Sequence, residues 1–247
     1  MAEVDPPRGT LGTVRNASLL LELLSEGAAH QQLSDLAERS GLSMPTVHRL
    51  LRSLVAAGLV EQDPNSSRYG LGPELVRLAE RYLARLPLLH SLMPYLVDLR
   101  NRTSATVLVA LLVRDTVVYV ERIDGSDDAL LQRSGRSFPA VATAAGRLLA
   151  GHGGTEVWKR FLGAEHGPEL ADLESWSRND HLVDEVEGKR GQLEVAVPIR
   201  RADGTAKAAL AARGGPPSLS RDRLVDEVLP ELLQTAAVAE RAGRHGG

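Results

Sequence analysis

Residues 37–51 read Ala37-Glu38-Arg39-Ser40-Gly41-Leu42-Ser43-Met44-Pro45-Thr46-Val47-His48-Arg49-Leu50-Leu51, and their spacing decides the fold of the N-terminal part of the chain. A small residue at Ala37 lets one helix cross the next closely. Gly41 permits the positive-φ turn between them, and Val47 anchors the second helix with a branched apolar side chain. That helix starts after Ser43 and carries Pro45 in its first turn, where a missing N–H costs nothing. Val47, Leu50, Leu51 and Leu54 recur at i, i+3, i+4 and i+7 and define its buried face. The opposite face presents Met44, Pro45, Thr46, His48, Arg49, Arg52 and Ser53. Hydroxyls, a histidine and two arginines on one helix suit base edges in a DNA major groove, and the amides at its N-terminal end suit a phosphate.

The flanking sequence builds the rest of this unit. Val14, Ala17, Leu21 and Leu24 predict a first helix that stops at Gly27, and a second begins after Ser34 with Leu36 and Ala37 inward. The quoted stretch supplies the third. Two short extended runs, 59–61 and 68–71, flank the turn residues Asp63-Pro64-Asn65-Ser66-Ser67 and predict a β-hairpin. On a three-helix base this hairpin is a wing, with Arg68 and Ser66 or Ser67 near the DNA backbone or minor groove and Arg15 on a backbone contact. Within residues 39–68, Arg39, Arg49, Arg52 and Arg68 outnumber Glu61 and Asp63. Three short helices also pack together in proteins that never touch DNA. Spacing, helix polarity, wing and local charge together favour the DNA-binding reading.

Pro73 opens a linker helix with Leu75, Leu78, Ala79, Tyr82, Leu83 and Leu86 on one face, and Pro87 is expected to end it. That face suits a partner chain or packing within its own. Arg77, Arg81 and Arg85 form a stripe that could reach DNA phosphates, with a solvated face the favoured reading. Beyond it a short helix should begin near Pro94 and bury Leu96 and Leu99. Strands are expected at 105–113, 117–123, 129–133, 194–200 and 205–213, with helices at 142–150, 155–162 and 221–242. Helices mixed with hairpin-connected strands indicate an α+β fold. The expected organisation is a flexible arm (1–12), a winged helix-turn-helix (13–72), a linker helix region (73–93) and a second domain (94–243).

Composition removes several functional classes. The chain has 247 residues and a formal charge of −3, so an indiscriminately basic coat is excluded. With two Trp, four Tyr and two Phe, single-strand binding by base stacking is not expected. There is no cysteine, hence no disulfide, thiolate metal site or cysteine nucleophile. Among the cations only Lys159, Lys189 and Lys207 are lysine; arginine suits bidentate work on phosphate or guanine, although genome composition produces the same bias. Acids and prolines at the start (Glu3, Asp5, Pro6, Pro7) do not suit a signal peptide, and the longest apolar run, 107–113, is about a third of a membrane span. A cytoplasmic protein without a membrane segment is expected. His30, His90, His152, His166, His181 and His245 show no metal-ligand spacing, and no phosphate-loop or dinucleotide fingerprint occurs, so no metal or cofactor is expected. His152-Gly153-Gly154 has no accompanying nucleophile motif and reads as a loop. No acid–base or nucleophile constellation supports an enzyme, and a constitutive architectural DNA-binding protein remains an alternative.

Several stretches together resemble the IclR family of bacterial transcriptional regulators. They are Val14-Arg15-Asn16-Ala17, the segment 41–51, Gly58-Leu59-Val60-Glu61 and Arg68-Tyr69-Gly70-Leu71-Gly72. Past the boundary the resemblance continues in residues 139–147, with Val141 where the family has histidine, and in Ala196-Val197-Pro198-Ile199, Ala202-Asp203-Gly204 and Gly214-Gly215-Pro216. It implies a homodimer or dimer of dimers on double-stranded operator DNA, and a GAF-like α/β second domain, its sheet mainly antiparallel, that binds a small-molecule metabolite effector. It places Thr143, Ala144 and Gly146 in the effector site. Asp184 holds the family's acid position, Glu194 its cysteine position, and Ala211 and Arg213 its serine positions, so three of four differ and a small-carboxylate preference is not carried over.

The residues support a related picture independently. If Asp203-Gly204 is a two-residue turn, Ala202 faces Thr205, Glu194 faces Arg213, Ala196 faces Ala211 and Pro198 faces Ala209. Val195, Val197 and Ile199 then share the other face with Ala208, Leu210 and Ala212. A pocket floored by Ala196, Ala209 and Ala211, with Glu194 and Arg213 at one end, would take a ligand with both donors and acceptors. The alternative is a solvated Glu194–Arg213 pair with no ligand role, worth ~0.2–1 kcal/mol if exposed. A four-residue turn would break this pairing.

Overall fold

The structure, a computed structural model, describes residues 12–125, 137–164, 167–186, 191–214 and 220–244. The arm at 1–11, the strand expected at 129–133, and His166, Lys189, Gly215, Pro216 and His245 lie outside the described residues. The chain divides into two compact units between Arg85 and Leu86.

The first unit contains α1 (Gly12–Ser25), α2 (Leu33–Ser40), α3 (Met44–Ala56), β1 (Val60–Gln62), β2 (Tyr69–Leu71) and α4 (Glu74–Leu83). Leu20 and Leu24 of α1, Leu36 and Ala37 of α2, and Val47, Leu50, Leu51 and Leu54 of α3 form one core with Val60 and Tyr69. The turn between α2 and α3 is made as expected: Gly41 sits at φ 67°, and its N–H caps the Glu38 carbonyl. Helix α2 begins at Leu33, one residue ahead of Ser34, because Leu33 packs against that core. β1 and β2 form the wing hairpin, and β2 also bridges Gln31, which adds a third short extended segment. Helix α4 stops at Leu83 and buries none of its residues, so Leu86 lies beyond it.

Leu86 is instead the N-cap of α5 (Pro87–Thr103), with Pro87 in its first turn. The short helix expected from Pro94 is therefore a longer one, and Pro94 sits inside it. An interior proline costs about 3 kcal/mol. Leu89, Leu92, Leu96 and Leu99 continue one buried face across it, each contributing ~1.5–3 kcal/mol, and the packing wins.

The second unit continues with β3 (Thr106–Val113), β4 (Thr116–Ile123), β5 (Ser137–Pro139), α6 (Ala144–Gly151), α7 (Thr155–Leu162), α8 (Leu170–Arg178), β6 (Leu182–Glu185), β7 (Leu193–Arg200), β8 (Ala206–Gly214), α9 (Arg221–Arg223) and α10 (Leu229–Arg244). A six-stranded sheet runs in the order β5-β4-β3-β8-β7-β6, every neighbouring pair antiparallel. On one face α6 packs Ala144, Ala145, Leu148 and Leu149 against Leu108, Ala110, Ala196, Ala209 and Ala211. Val195, Val197, Ile199, Leu210 and Ala212 point to the other face, where α5 and α10 lie against each other and against the strands. The helix expected over 221–242 contains a π turn at Leu224–Val228, closed by the Leu229 N–H on the Leu224 carbonyl. Pro230 explains it, because proline has no N–H to give the Asp226 carbonyl.

The β7–β8 pairing is the expected one, with Glu194 opposite Arg213, Ala196 opposite Ala211 and Pro198 opposite Ala209. Its premise was wrong. The Arg201 N–H bonds the Thr205 carbonyl, so the loop is Ala202-Asp203-Gly204 with Gly204 at φ 81°. A bulge at Ile199/Arg200 absorbs the offset and restores the register, as three-residue hairpins do. Among the described residues no helix is long and apolar enough to cross a membrane.

Candidate functional site

The α2–α3 turn and the wing set one surface of the first unit. Arg15 on α1, His48, Arg49 and Arg52 on α3, and Arg68 after the wing turn are exposed, and none of their side chains bonds or ion-pairs with a described residue. Ser43, Met44 and Pro45 are exposed beside them, while Thr46 is half-buried with its Oγ1 2.8 Å from the Ser43 Oγ. These side chains share the α3 face because Val47, Leu50, Leu51 and Leu54 take the other.

Arg39 corrects the charge count made from sequence. It donates to Gln31 Oε1 at 2.7 Å and pairs with Glu26 at 2.7 Å, so it is spent inside the unit. Gln31 in turn donates to the Leu23 and Glu26 carbonyls at 2.9 and 2.7 Å, tying down the chain where α1 ends. In the wing turn, Asp63 accepts from the Asn65 and Ser66 amides at 3.1 and 3.2 Å and from the Ser66 hydroxyl. The Ser66 hydroxyl, foremost, holds the Asp63 carboxyl below its usual range. Ser66 is thus committed to the turn, which leaves Arg68 as its free cation.

In the second unit the polar residues of the sheet's α6 face gather at one end. Glu194, fully buried, accepts from the Tyr119 hydroxyl at 2.6 Å, the Ala145 N–H at 3.0 Å, and Arg213 Nη2 at 2.6 Å. Arg213, 5 % exposed, also stacks on the Tyr119 and Phe138 rings, 4.9 and 5.5 Å from their centroids. Burial, reinforced by the Glu194 charge, pushes the Tyr119 phenol well above its ordinary value. Beside Glu194 on β6, Asp184 pairs with Arg147 of α6, which also donates to the Val141 carbonyl at 2.7 Å. Arg122 and Asp124 form another pair near the same end. Gln192 keeps a buried side-chain oxygen there without a partner. At the opposite end, a cleft of about 520 Å³ opens beside the β7–β8 turn, lined among others by His152, Trp158, Leu162 and Asp203.

Residues 13–64 match the IclR helix-turn-helix domain, and residues 80–240 match the C-terminal domain of the bacterial transcriptional regulator IclR. The chain belongs to the IclR family. It is 28% identical over 200 residues to the HTH-type transcriptional regulator XynR of Escherichia coli, covering 76% of this chain and 79% of that one. An IclR-family regulator from Brucella abortus superposes with a TM-score of 0.81 at 22% identity, over 98% of this chain and 96% of the other. An IclR homologue from Microbacterium hydrocarbonoxydans, solved with 4-hydroxybenzoate, gives a TM-score of 0.67 at 24% identity, over 95% and 100%. The protein is thus a transcriptional regulator with a DNA-binding helix-turn-helix and a C-terminal effector domain; its family is one of regulators, not enzymes.

Within this IclR-family domain the residues implied by resemblance have clear structural duties. Thr143 is the N-cap of α6 and accepts the Gly146 N–H at 3.0 Å. Ala144 lies in the core, and a Cβ on Gly146 would sit 2.1 Å from the Ala140 carbonyl. The floor expected at Ala196, Ala209 and Ala211 is covered: the small alanine side chains leave the space in which α6 approaches the sheet. Glu194 and Arg213 meet as expected, but as a buried pair rather than a solvated one. Sequence reading missed Tyr119 and Phe138 as their partners, and Arg147 as the partner of Asp184. Tyr119 was findable, because alternation from Val117 puts a phenol on the buried side of β4.

Proposed function

We propose that this protein is an effector-controlled repressor that reads a palindromic or repeated operator as a cytoplasmic homodimer or dimer of dimers. Residues 13–72 bind DNA, 73–93 link, and 94–243 hold the effector. The observation that carries the DNA reading is the group of exposed, unengaged cations around α3. Thr46, His48, Arg49 and Arg52 read bases, with Ser43, Met44 and Pro45 at the same helix end and Arg15 and Arg68 on the backbone. The ground for repression is steric: a dimer lying over a promoter blocks polymerase.

The effector is read at the end of the sheet marked by Thr143, Asp184, Glu194 and Arg213, beside the alanine floor that α6 covers. The ion pairs Arg213–Glu194, Arg147–Asp184 and Arg122–Asp124 balance one another. That neutral set favours a ligand with donors and acceptors over a simple monoanion. The 4-hydroxybenzoate complex of the Microbacterium hydrocarbonoxydans homologue supports effector binding by this domain. Control requires that the effector bind one arrangement of the chain better than another.

Fluorescence anisotropy on DNA from upstream of the protein's own gene, with excess nonspecific competitor, tests the first half. Competitor-resistant binding lost in Arg49→Ala supports it; sequence-specific binding that survives Arg49→Ala removes α3 as the reader. For the second half, metabolites that release the wild-type chain are applied to Glu194→Met/Arg213→Met, and unchanged release moves the effector elsewhere.

A further inference from the structure

Met44 opens α3 directly after the N-cap Ser43, and it stands half in water at 50 % exposure. Beside it on the helix tip stand the exposed Pro45 and the polar or charged Ser43, Thr46, His48 and Arg49. The core of the unit passes it by, taking Val47, Leu50, Leu51 and Leu54 from the same helix. A thioether carries no charge and no donor, so it cannot hold a phosphate. Residues at the N-terminal end of a recognition helix reach base edges. In the major groove the apolar mark on those edges is the C5-methyl of thymine. Methionine, unbranched and polarizable, settles on such a small apolar target without demanding one geometry. Its polar neighbours Ser43 and Thr46 are bonded to each other at 2.8 Å, and the exposed apolar side chains at the helix tip are Pro45, held close to the backbone by its ring, and the longer Met44.

We propose that Met44 is a specificity-determining residue that selects a thymine in each half-site through its C5-methyl group. This rests on the reading of α3 as the recognition helix, and the experiment separates the two. Duplexes are selected from a randomised pool with the full-length wild-type chain, and in parallel with Met44→Ala and Met44→Leu. Each thymine of the wild-type consensus is then replaced singly by deoxyuridine, which deletes the methyl and keeps the hydrogen-bond pattern. At one position per half-site, deoxyuridine should weaken wild-type binding about fourfold, the worth of one buried methyl group. Met44→Leu should keep that penalty. Met44→Ala should lose it and accept other base pairs there while the rest of the consensus stands. A penalty unchanged in Met44→Ala, or no deoxyuridine penalty at any position in the wild type, overturns the role of Met44 and leaves α3 as reader intact. A pool that yields no wild-type consensus overturns the recognition-helix reading, and this inference with it.

Discussion

Glu194 carries a charge into the core, and the energetics of this protein are most exposed at that residue. Its carboxylate is met by Tyr119, Ala145 and Arg213, so sheet, helix and ion pair depend on one side chain. Removing one partner of a buried pair costs about 3–5 kcal/mol, because the other charge stays buried alone. Arg213→Ala should therefore lower the melting temperature by roughly 6–20 °C, on the scale of a domain this size. Glu194→Met/Arg213→Met should keep more stability than either single change, since no charge remains to be buried. Thermal scans decide it, and a single variant as stable as wild type would show that the pair is wet in solution. Tyr119 supplies a pH signature. Its folded-state value is raised above 10, so the folded chain holds this proton where the unfolded chain has lost it. The associated stability is fully present below pH 10 and is lost as pH rises beyond it. Urea titrations between pH 9 and 11 should show a decline that is shallower in Tyr119→Phe; parallel slopes would remove Tyr119 as the cause.

Among the elements, α6 is set by contacts that tolerate little change. Thr143 caps it, Glu194 holds its Ala145 N–H, and Gly146 lets its first turn approach the Ala140 backbone. Gly146→Ala places a Cβ where a carbonyl already stands, and should cost about 1–3 kcal/mol or more in urea unfolding, the range for overpacking. A neutral result would mean that α6 can shift off the sheet. What sequence could and could not reveal follows the same lines. α3 was legible because apolar period, turn glycine and first-turn proline agree over its whole length. α7 was found at its observed ends, Thr155–Leu162. α8 escaped because its start is marked by Glu169 and Asp172 capping each other, rather than by the serine or threonine usually sought. β6 has only four residues, Leu182–Glu185, two of them acidic, too few for alternation to show. The α6-face site was half legible: pairing arithmetic joined Glu194 to Arg213, but nothing local says that a helix will cover three alanines. Burial there is a property of tertiary packing.

Across the whole molecule, a chain of net charge −3 must bind DNA through local field and geometry. Arg68→Ala should weaken binding uniformly across sequences and flatten the salt dependence by about one unit of slope per lost phosphate contact, whereas Arg49→Ala should relax sequence preference. A palindromic operator of the kind proposed requires two heads. A recognition helix reads only a short half-site, and helix-turn-helix dimers place half-sites about one helical turn apart. The face that could join two chains is the one on α4 that carries Leu78 and Tyr82, one turn apart and 46 % and 60 % exposed. Exposed apolar side chains one turn apart on a helix suit a contact between two chains. Leu78→Glu/Tyr82→Glu should therefore shift the sedimenting species toward the monomer. Because α3 is untouched, a single half-site should still be bound by the variant as weakly as by wild type. On a full operator the variant should lose the gain that comes from tethering two heads, a factor of about 10²–10⁴. If the variant sediments as wild type, the α4 face is no dimer contact. If it is monomeric yet binds the full operator unchanged, one head suffices and the operator is not palindromic.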